Sequence, residues 1–375
     1  MADTREILGL LNNAATVAAL ERYYERTLQR ILIELAQGVS RPGAARATEL
    51  VATLRDLIRG LDPRRAGFVR NWIREWIPKA YILGDESATA QLRRQLEAAT
   101  SDRADAFGAI RTGWTAVNQT ALAAMVAQVD STLRNVAMQM EAVLGLAVRR
   151  TQLVFFQDAA IRESVVSGII RGAAGRRLSD DIASIILKGG TPAEIERLRQ
   201  AGFQPDLIDL YKRLSQGQMV TVGARTFDVR QYANLVARTM LADVANKGNV
   251  VRLQQNGVDH VRISNPPRVG DPDVCTVFAG RVFYVGTGED PLGFPALRSI
   301  PNGGPPFHPH CRHGLQAFVV SLKNPTDVEA ALKDTRLIPG DYFNSTASLV
   351  TKHVGSLDAA AVQKINPNAS KPRAA

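Results

Sequence analysis

The sequence predicts a mainly α protein that carries a small α+β domain towards its C-terminal end, with a short three-stranded sheet near residues 258–320. Three observations carry that prediction. Hydrophobic residues make up 45% of the 375-residue chain and aromatics only 6%, with Ala, Leu, Val and Arg abundant, a balance that favours helices over β-sandwiches. Prolines stand at 42, 63 and 78, and then none occurs for 113 residues until Pro192, which leaves room for very long helices. Beyond Gly257 the pattern changes to short β-type runs separated by Gly- and Pro-rich stretches.

Taken in order, Thr4–Gln37 reads as a first helix, with Leu8, Leu11, Ala15, Leu20, Tyr24, Leu28, Ile31 and Leu35 on or near one face and Gly38 at its end. Pro42 and Pro63 each stand where a following helix would begin, the second after Asp62 as N-cap. In FVRNWIREWIPKAYILG, Phe68, Trp72, Trp76 and Tyr81 recur at helical spacing around a kink expected at Pro78, an aromatic stripe that suits a core. From Ala104 to Arg171 the apolar residues recur at three and four spacing: Ala106, Phe107, Ile110, Trp114 and Val117, then onward from Leu122 to Leu144. As one helix of roughly 65 residues this stretch would reach about 100 Å; a break near Gly145 or within Thr151–Gln157 fits the pattern equally well.

After Gly172 the helices shorten. LSDDIASIILKGG has Ser179 as N-cap and Gly189 as stop, and TPAEIERLRQAG carries Thr191, Pro192 and Glu194 in capping-box order. A further helix is expected from Val229 to Gln255, capped by Asp228 and ended by Gly257. HVRIS (260–264), RVFYV (281–285) and LQAFVV (315–320) are the β-type runs. The last two are joined by 29 residues that hold six glycines and six prolines, a length that marks a connection as functional or held by something besides its own packing. The domains expected are therefore an elongated helical one over 1–175, a short-helix connector over 176–227, an α+β domain over 228–322 and an extension over 323–375. The tail from about Asn366 is expected to be disordered.

Charge and cysteine content narrow the function. The net charge of +10 points to an acidic partner, nucleic acid above all, yet the excess is spread thinly and a solvated surface explains it as well. Arginine dominates, with only nine lysines among 46 basic residues. Two cysteines do not make a disulfide framework, so a reducing compartment is expected. Neither a signal-peptide pattern nor a run of about 18 uncharged apolar residues occurs, so no membrane anchor is expected. HExxH, GxSxG and GxxxxGK[ST] are all missing, and no catalytic residue is assigned.

The chemistry is concentrated in PPFHPHCRHGL, residues 305–315, which holds three of the five histidines and one of the two cysteines. Cys275, His308, Cys311 and His313 together offer four donors suited to a tetrahedral structural zinc, with His310 as an alternate ligand. Two other readings stand beside it: a hydrogen-bonded knuckle without metal, and a Cys275–Cys311 disulfide. A metal-dependent nuclease or toxin-like hydrolase is the enzymatic alternative, using His308 or His310 with Asp271 or Asp273, although both aspartates flank Pro272 and suit a turn.

The region from about Tyr232 to Val320 resembles the Mu F-like minor head protein family of tailed phages. The resemblance rests on ARTMLADVANKGNVVRLQQNG (237–257) with its Asn246 and Gly248, on DPDVCTVFAGRVFYV (271–285), and on the proline pair with His-Pro-x-Cys-Arg in PPFHPHCRHGL. Phe278 stands where the family often has a second cysteine, and His313 where it usually has a last one. The resemblance implies a non-enzymatic structural protein of the phage head, bound to the portal protein near its vertex and to other head proteins after assembly in the host cytoplasm. It also implies non-specific contact with packaged DNA, and a knuckle held by Cys275, His308, Cys311 and His313.

Overall fold

The computed structural model of the protein describes residues 14–39, 44–65, 67–162, 180–201, 203–222, 224–266, 274–308 and 311–343. Mainly helical architecture with a small α+β region is what it shows, in agreement with the sequence. The helices are α1 (Ala14–Val39), α2 (Ala44–Arg59), α3 (Phe68–Glu97), α4 (Ser101–Phe107), α5 (Ala116–Arg162), α6 (180–188), α7 (Pro192–Gln200), α8 (Pro205–Ser215), α9 (Val229–Gln255), α10 (Val274–Phe278) and α11 (Pro325–Thr335). The strands are β1 (Gln218–Val222), β2 (Arg225–Asp228), β3 (His260–Ile263), β4 (Val282–Tyr284) and β5 (Leu315–Ala317).

The chain divides into two units. A helical unit comprises Ala18–Ile73 and Gln128–Val236, and a sheet unit comprises Met1–Val17, Arg74–Ala127 and Ala237–Ala375. This differs from the sequence-based boundaries at 175, 227 and 322, because residues 74–127 belong with the C-terminal sheet. The reason is chemical, since α3 and the segment after α4 carry the polar groups that the C-terminal region needs.

In the helical unit, α1 buries Leu20, Tyr24, Leu28, Ile31 and Leu35, the face that its spacing predicts. On α5 the buried set Val129, Leu133, Val136, Met140, Leu144 and Ala147 follows the same rule, and the helix passes Gly145 and Thr151 without a break. Thr151 Oγ1 lies 2.5 Å from Tyr211 Oη, tying α5 to α8. Asp62 caps only a local turn, accepting from Arg64 N at 2.9 Å, and the next helix starts at Phe68 rather than at Pro63. Thr191 and Glu194 form the capping box, each accepting a backbone N–H from the other. The connector expected to hold only short helices contains an antiparallel hairpin, β1 paired with β2 from Val220↔Phe227 to Val222↔Arg225. The cap expected at Ser179, the start of the first helix and the tail from Asn366 lie outside the described residues.

The sheet unit is built on an antiparallel sheet of order β4-β3-β5, whose three strands are the three β-type runs. Phe278, Phe283, Phe307 and Tyr342 form its aromatic centre, with Phe278 stacked on Phe307 at 5.0 Å. Ile338 and Tyr342 belong to this core, so the domain runs past residue 322 and takes in α11 and its following turn. The long amphipathic stripe does not start as one helix. Gly108 adopts a left-handed φ of 77° after α4, residues 108–115 are non-helical, and α5 begins at Ala116. Phe107 and Ile110 pack on the sheet core, whereas Trp114 stands edge-on to Tyr81 at 5.7 Å. The apolar spacing is real, but two different partners use it.

Side chains help to close both edges of the sheet, and on β4 Tyr284 N also donates to Pro295 O at 2.9 Å. Along β5, Gln91 Oε1 accepts from Ala317 N at 2.6 Å, Gln95 Nε2 donates to Ala317 O at 2.6 Å, and Gln95 Oε1 accepts from Val319 N at 3.3 Å. One turn of α3 thus stands in for a neighbouring strand. On β4 a single hydroxyl, Thr335 Oγ1, accepts from Val282 N at 3.2 Å, and its one hydrogen is shared between Ala331 O at 2.9 Å and Val282 O at 3.3 Å. Helices α3 and α9 touch closely: a Cβ at Gly84 would collide with the Ala245 carbonyl, and one at Gly248 with the Tyr81 carbonyl.

Candidate metal centre

The site forms where α10, the 29-residue connection and α9 meet. Cys275 sits in the one-and-a-half turns of α10 and is buried in the same core cluster as Val277 and Phe278. The knuckle is anchored on both sides. On its N-terminal side Phe307 is fixed against Phe278, and Asn302, at a left-handed φ of 59°, donates from Nδ2 to the carbonyls of Pro306 at 3.1 Å and Phe307 at 3.4 Å. The Pro305–Pro306 bond is cis. On the other side Ser264 and Gly314 exchange two hydrogen bonds, Ser264 N to Gly314 O and Gly314 N to Ser264 Oγ, both at 2.8 Å.

Asn246 spans the two sides. Its Nδ2 donates to Pro305 O at 2.7 Å and its Oδ1 accepts from Leu315 N at 3.2 Å, so one buried amide fastens both ends of the PPFHPHCRHGL stretch to α9. Between those ends Cys311 N donates to His308 O at 2.9 Å.

This scaffold brings Cys275, His308 and Cys311 together, their donor atoms all within 4.8 Å of one another, in a cluster that could hold a metal ion. Cys275 Sγ lies 3.3 Å from His308 Nε2. His313 is buried outside this three-donor group, its Nδ1 3.6 Å from Cys311 Sγ. The sulfur–nitrogen edge of a zinc tetrahedron is about 3.5 Å, given metal–ligand distances of about 2.3 and 2.0 Å. The observed separations are near that edge, and both also suit hydrogen bonds. The donor set is soft, with two sulfurs to one or two imidazoles. His310, Asp271 and Asp273 lie outside the described residues, and Arg312 is exposed.

The electrostatics favour the ligating form of Cys311. A hydrogen bond from the Cys275 thiol holds the Cys311 thiol well below its ordinary pKa, His313 acts in the same direction, and burial opposes both. Neither Cys275 nor Cys311 is in a disulfide, so the disulfide alternative is not the state found here.

A further imidazole, marked by no motif in the sequence, supports the same connection. His260, buried at the start of β3, has Nε2 3.1 Å from Asp290 Oδ1, while Asp290 Oδ2 accepts from Phe294 N at 2.8 Å. With Arg298 donating to the carbonyls of Gly286 at 3.0 Å and Gly288 at 2.9 Å, this pair pins the first part of the long connection. The connection is therefore held by His260 and Arg298 at one end and by Asn246 and the cysteine cluster at the other. Among the described residues no helix is long and apolar enough to cross a membrane.

Comparison of the chain with protein-family models, with curated proteins and with solved structures gives no match.

Proposed function

We propose that the chain is a non-enzymatic structural protein of a tailed-phage head, related to the Mu F-like minor head proteins, bound to the portal and facing packaged DNA. One observation carries the reading. The three separated stretches on which the resemblance rests converge in space: Asn246 from the first grips the ends of the third, and Cys275 from the second meets His308 and Cys311. Motifs that serve one local structure are expected to come together in this way, whereas a chance resemblance has no reason to.

In this reading the ion is zinc, and its role is to close the 305–315 clasp. Two thiolates with imidazole suit zinc better than a hard cation. Among the described residues the donor group consists of two sulfurs and an imidazole, the composition of structural zinc sites. Arginine-rich basic charge supports non-specific phosphate contact that weakens with salt.

Elemental analysis of the purified chain, paired with a DNA-cleavage assay, tests the chemistry. Zinc without cleavage is the expected result, and cleavage lost in His308→Ala would replace this reading with a metal-dependent nuclease. Reconstruction of particles carrying a labelled chain tests the location. Density at the portal vertex inside the head is expected, and particles lacking the chain would end the proposal.

A further inference from the structure

We infer that Cys275 and Cys311 are a redox-active pair that closes reversibly into a disulfide. The chain has only these two cysteines, and the fold places their sulfurs within 4.8 Å of each other although they stand 36 positions apart. Both carriers are fixed independently of the sulfurs, α10 by Val277 and Phe278 in the core and the knuckle by Asn246 and Phe307. Folding thus prepays the loop closure that a disulfide over this span otherwise costs. A bond needs the sulfurs at about 2.0 Å.

Exposure decides the order of events. Cys275 is 4% exposed and Cys311 is half-buried, so a small-molecule disulfide such as oxidised glutathione reaches Cys311 first. Its sulfur attacks one sulfur of the oxidant, forming a mixed disulfide and releasing one glutathione thiol. Cys275 Sγ then attacks the Cys311 sulfur, the mixed disulfide breaks, and the second glutathione leaves. Two electrons pass to the oxidant, and the two thiol hydrogens of the protein depart as protons on the two released thiols. Oxidation removes two of the three clustered donors, so the disulfide and a bound metal exclude each other. The inference concerns the cluster proposed to hold zinc, but it rests on the thiols alone.

The test uses the full chain, stripped of metal with a chelator and incubated with excess oxidised glutathione before alkylation and mass analysis. The expected product has lost both thiol hydrogens, takes up no alkylating agent, yields one Cys275–Cys311 cross-linked peptide and is restored by dithiothreitol. Cys275→Ser, which lacks the resolving sulfur, retains a glutathione adduct on Cys311. A persistent glutathione adduct on Cys311 of the wild-type chain, or two freely alkylated thiols, would overturn the inference. Zinc binding is measured in parallel on the reduced chain. A chain that binds no zinc yet forms the cross-link sinks the metal reading only, and a chain that binds zinc yet forms no cross-link sinks only this one.

Discussion

Arg252 and Asp85 meet inside the sheet unit as a bidentate pair, with Nε and Nη2 of the guanidinium each 2.9 Å from a carboxylate oxygen. The remaining donors go to main chain: Nη1 to the carbonyls of Arg111 at 2.9 Å and Gly113 at 3.1 Å, and Nη2 also to Thr112 O at 2.9 Å. Every N–H of the guanidinium is used. One fully buried cation therefore holds α3, α9 and the non-helical 108–115 segment in register, and it explains why that segment leaves the helix its sequence suggests.

Removing one member of this pair leaves an uncompensated charge in the interior, which costs about 3–5 kcal/mol. Asp85→Ala is expected to lower the unfolding free energy from urea titration by about that much, read as a lower midpoint at unchanged slope. Asp85→Ala combined with Arg252→Met should cost clearly less than the sum of the two single changes, because the second substitution removes the stranded charge. Full additivity in the double-mutant cycle would show that the two residues act separately.

The amides of Gln91 and Gln95 make a second prediction. They satisfy the main-chain groups of Ala317 and the N–H of Val319 along an otherwise open edge. Stranding buried main-chain groups costs about 1–3 kcal/mol each. Gln95→Ala should therefore speed hydrogen exchange at Val319, and Gln91→Ala at Ala317, with the amide of Phe318, which donates to His260 O, much less affected. Equal acceleration at all three amides would mean that the strand loosens as a whole and that the glutamines have no specific edge-capping role.

Local signals account for what was legible in the sequence. The helix from Val229 to Gln255, the Thr191–Glu194 capping box and the three β-type runs were all marked by caps, spacing or strand composition within a few residues of where they form. The cysteine–histidine cluster was legible because such residues are scarce in this chain and three of the histidines fall in one short stretch. The rest depended on partners far along the chain. The use of Gln91 and Gln95 is decided by β5, more than 220 residues away, and nothing near Asp85 announces Arg252. The β1–β2 hairpin was missed because its strands are short, its outer half is exposed and it lacks an alternating apolar face.

Asn246 tests the clasp without touching a donor. It fastens Pro305 and Leu315, the two ends of the stretch that presents His308 and Cys311. Asn246→Leu keeps the branching and the number of heavy atoms but removes both bonds, and supports of this kind are worth about 10–100-fold in metal affinity. Zinc competition against a coloured chelator should show a loss in that range, with the metal-to-protein ratio at saturation unchanged. An affinity equal to that of the wild type would show that the cluster holds its shape without the amide.

Asp243 gives a pH dependence with a definite sign. It lies on α9 in the sheet unit, where burial raises its carboxyl above the ordinary range and Lys247 partly offsets the effect. A group whose pKa is raised on folding contributes stability that is present below its unfolded value and is lost as pH rises through its folded value. At neutral pH the ionised carboxylate therefore costs stability, and Asn at this position cannot ionise. Asp243→Asn is expected to raise the urea midpoint at pH 7, and the gain should shrink as pH falls towards the unfolded carboxylate value of about 3.9. Both chains should be measured across that range in the same buffer series, since other carboxylates titrate there and cancel in the difference. A variant less stable than the wild type at pH 7, with the two converging in acid, would reverse the sign and show that the Asp243–Lys247 attraction outweighs the cost of burial.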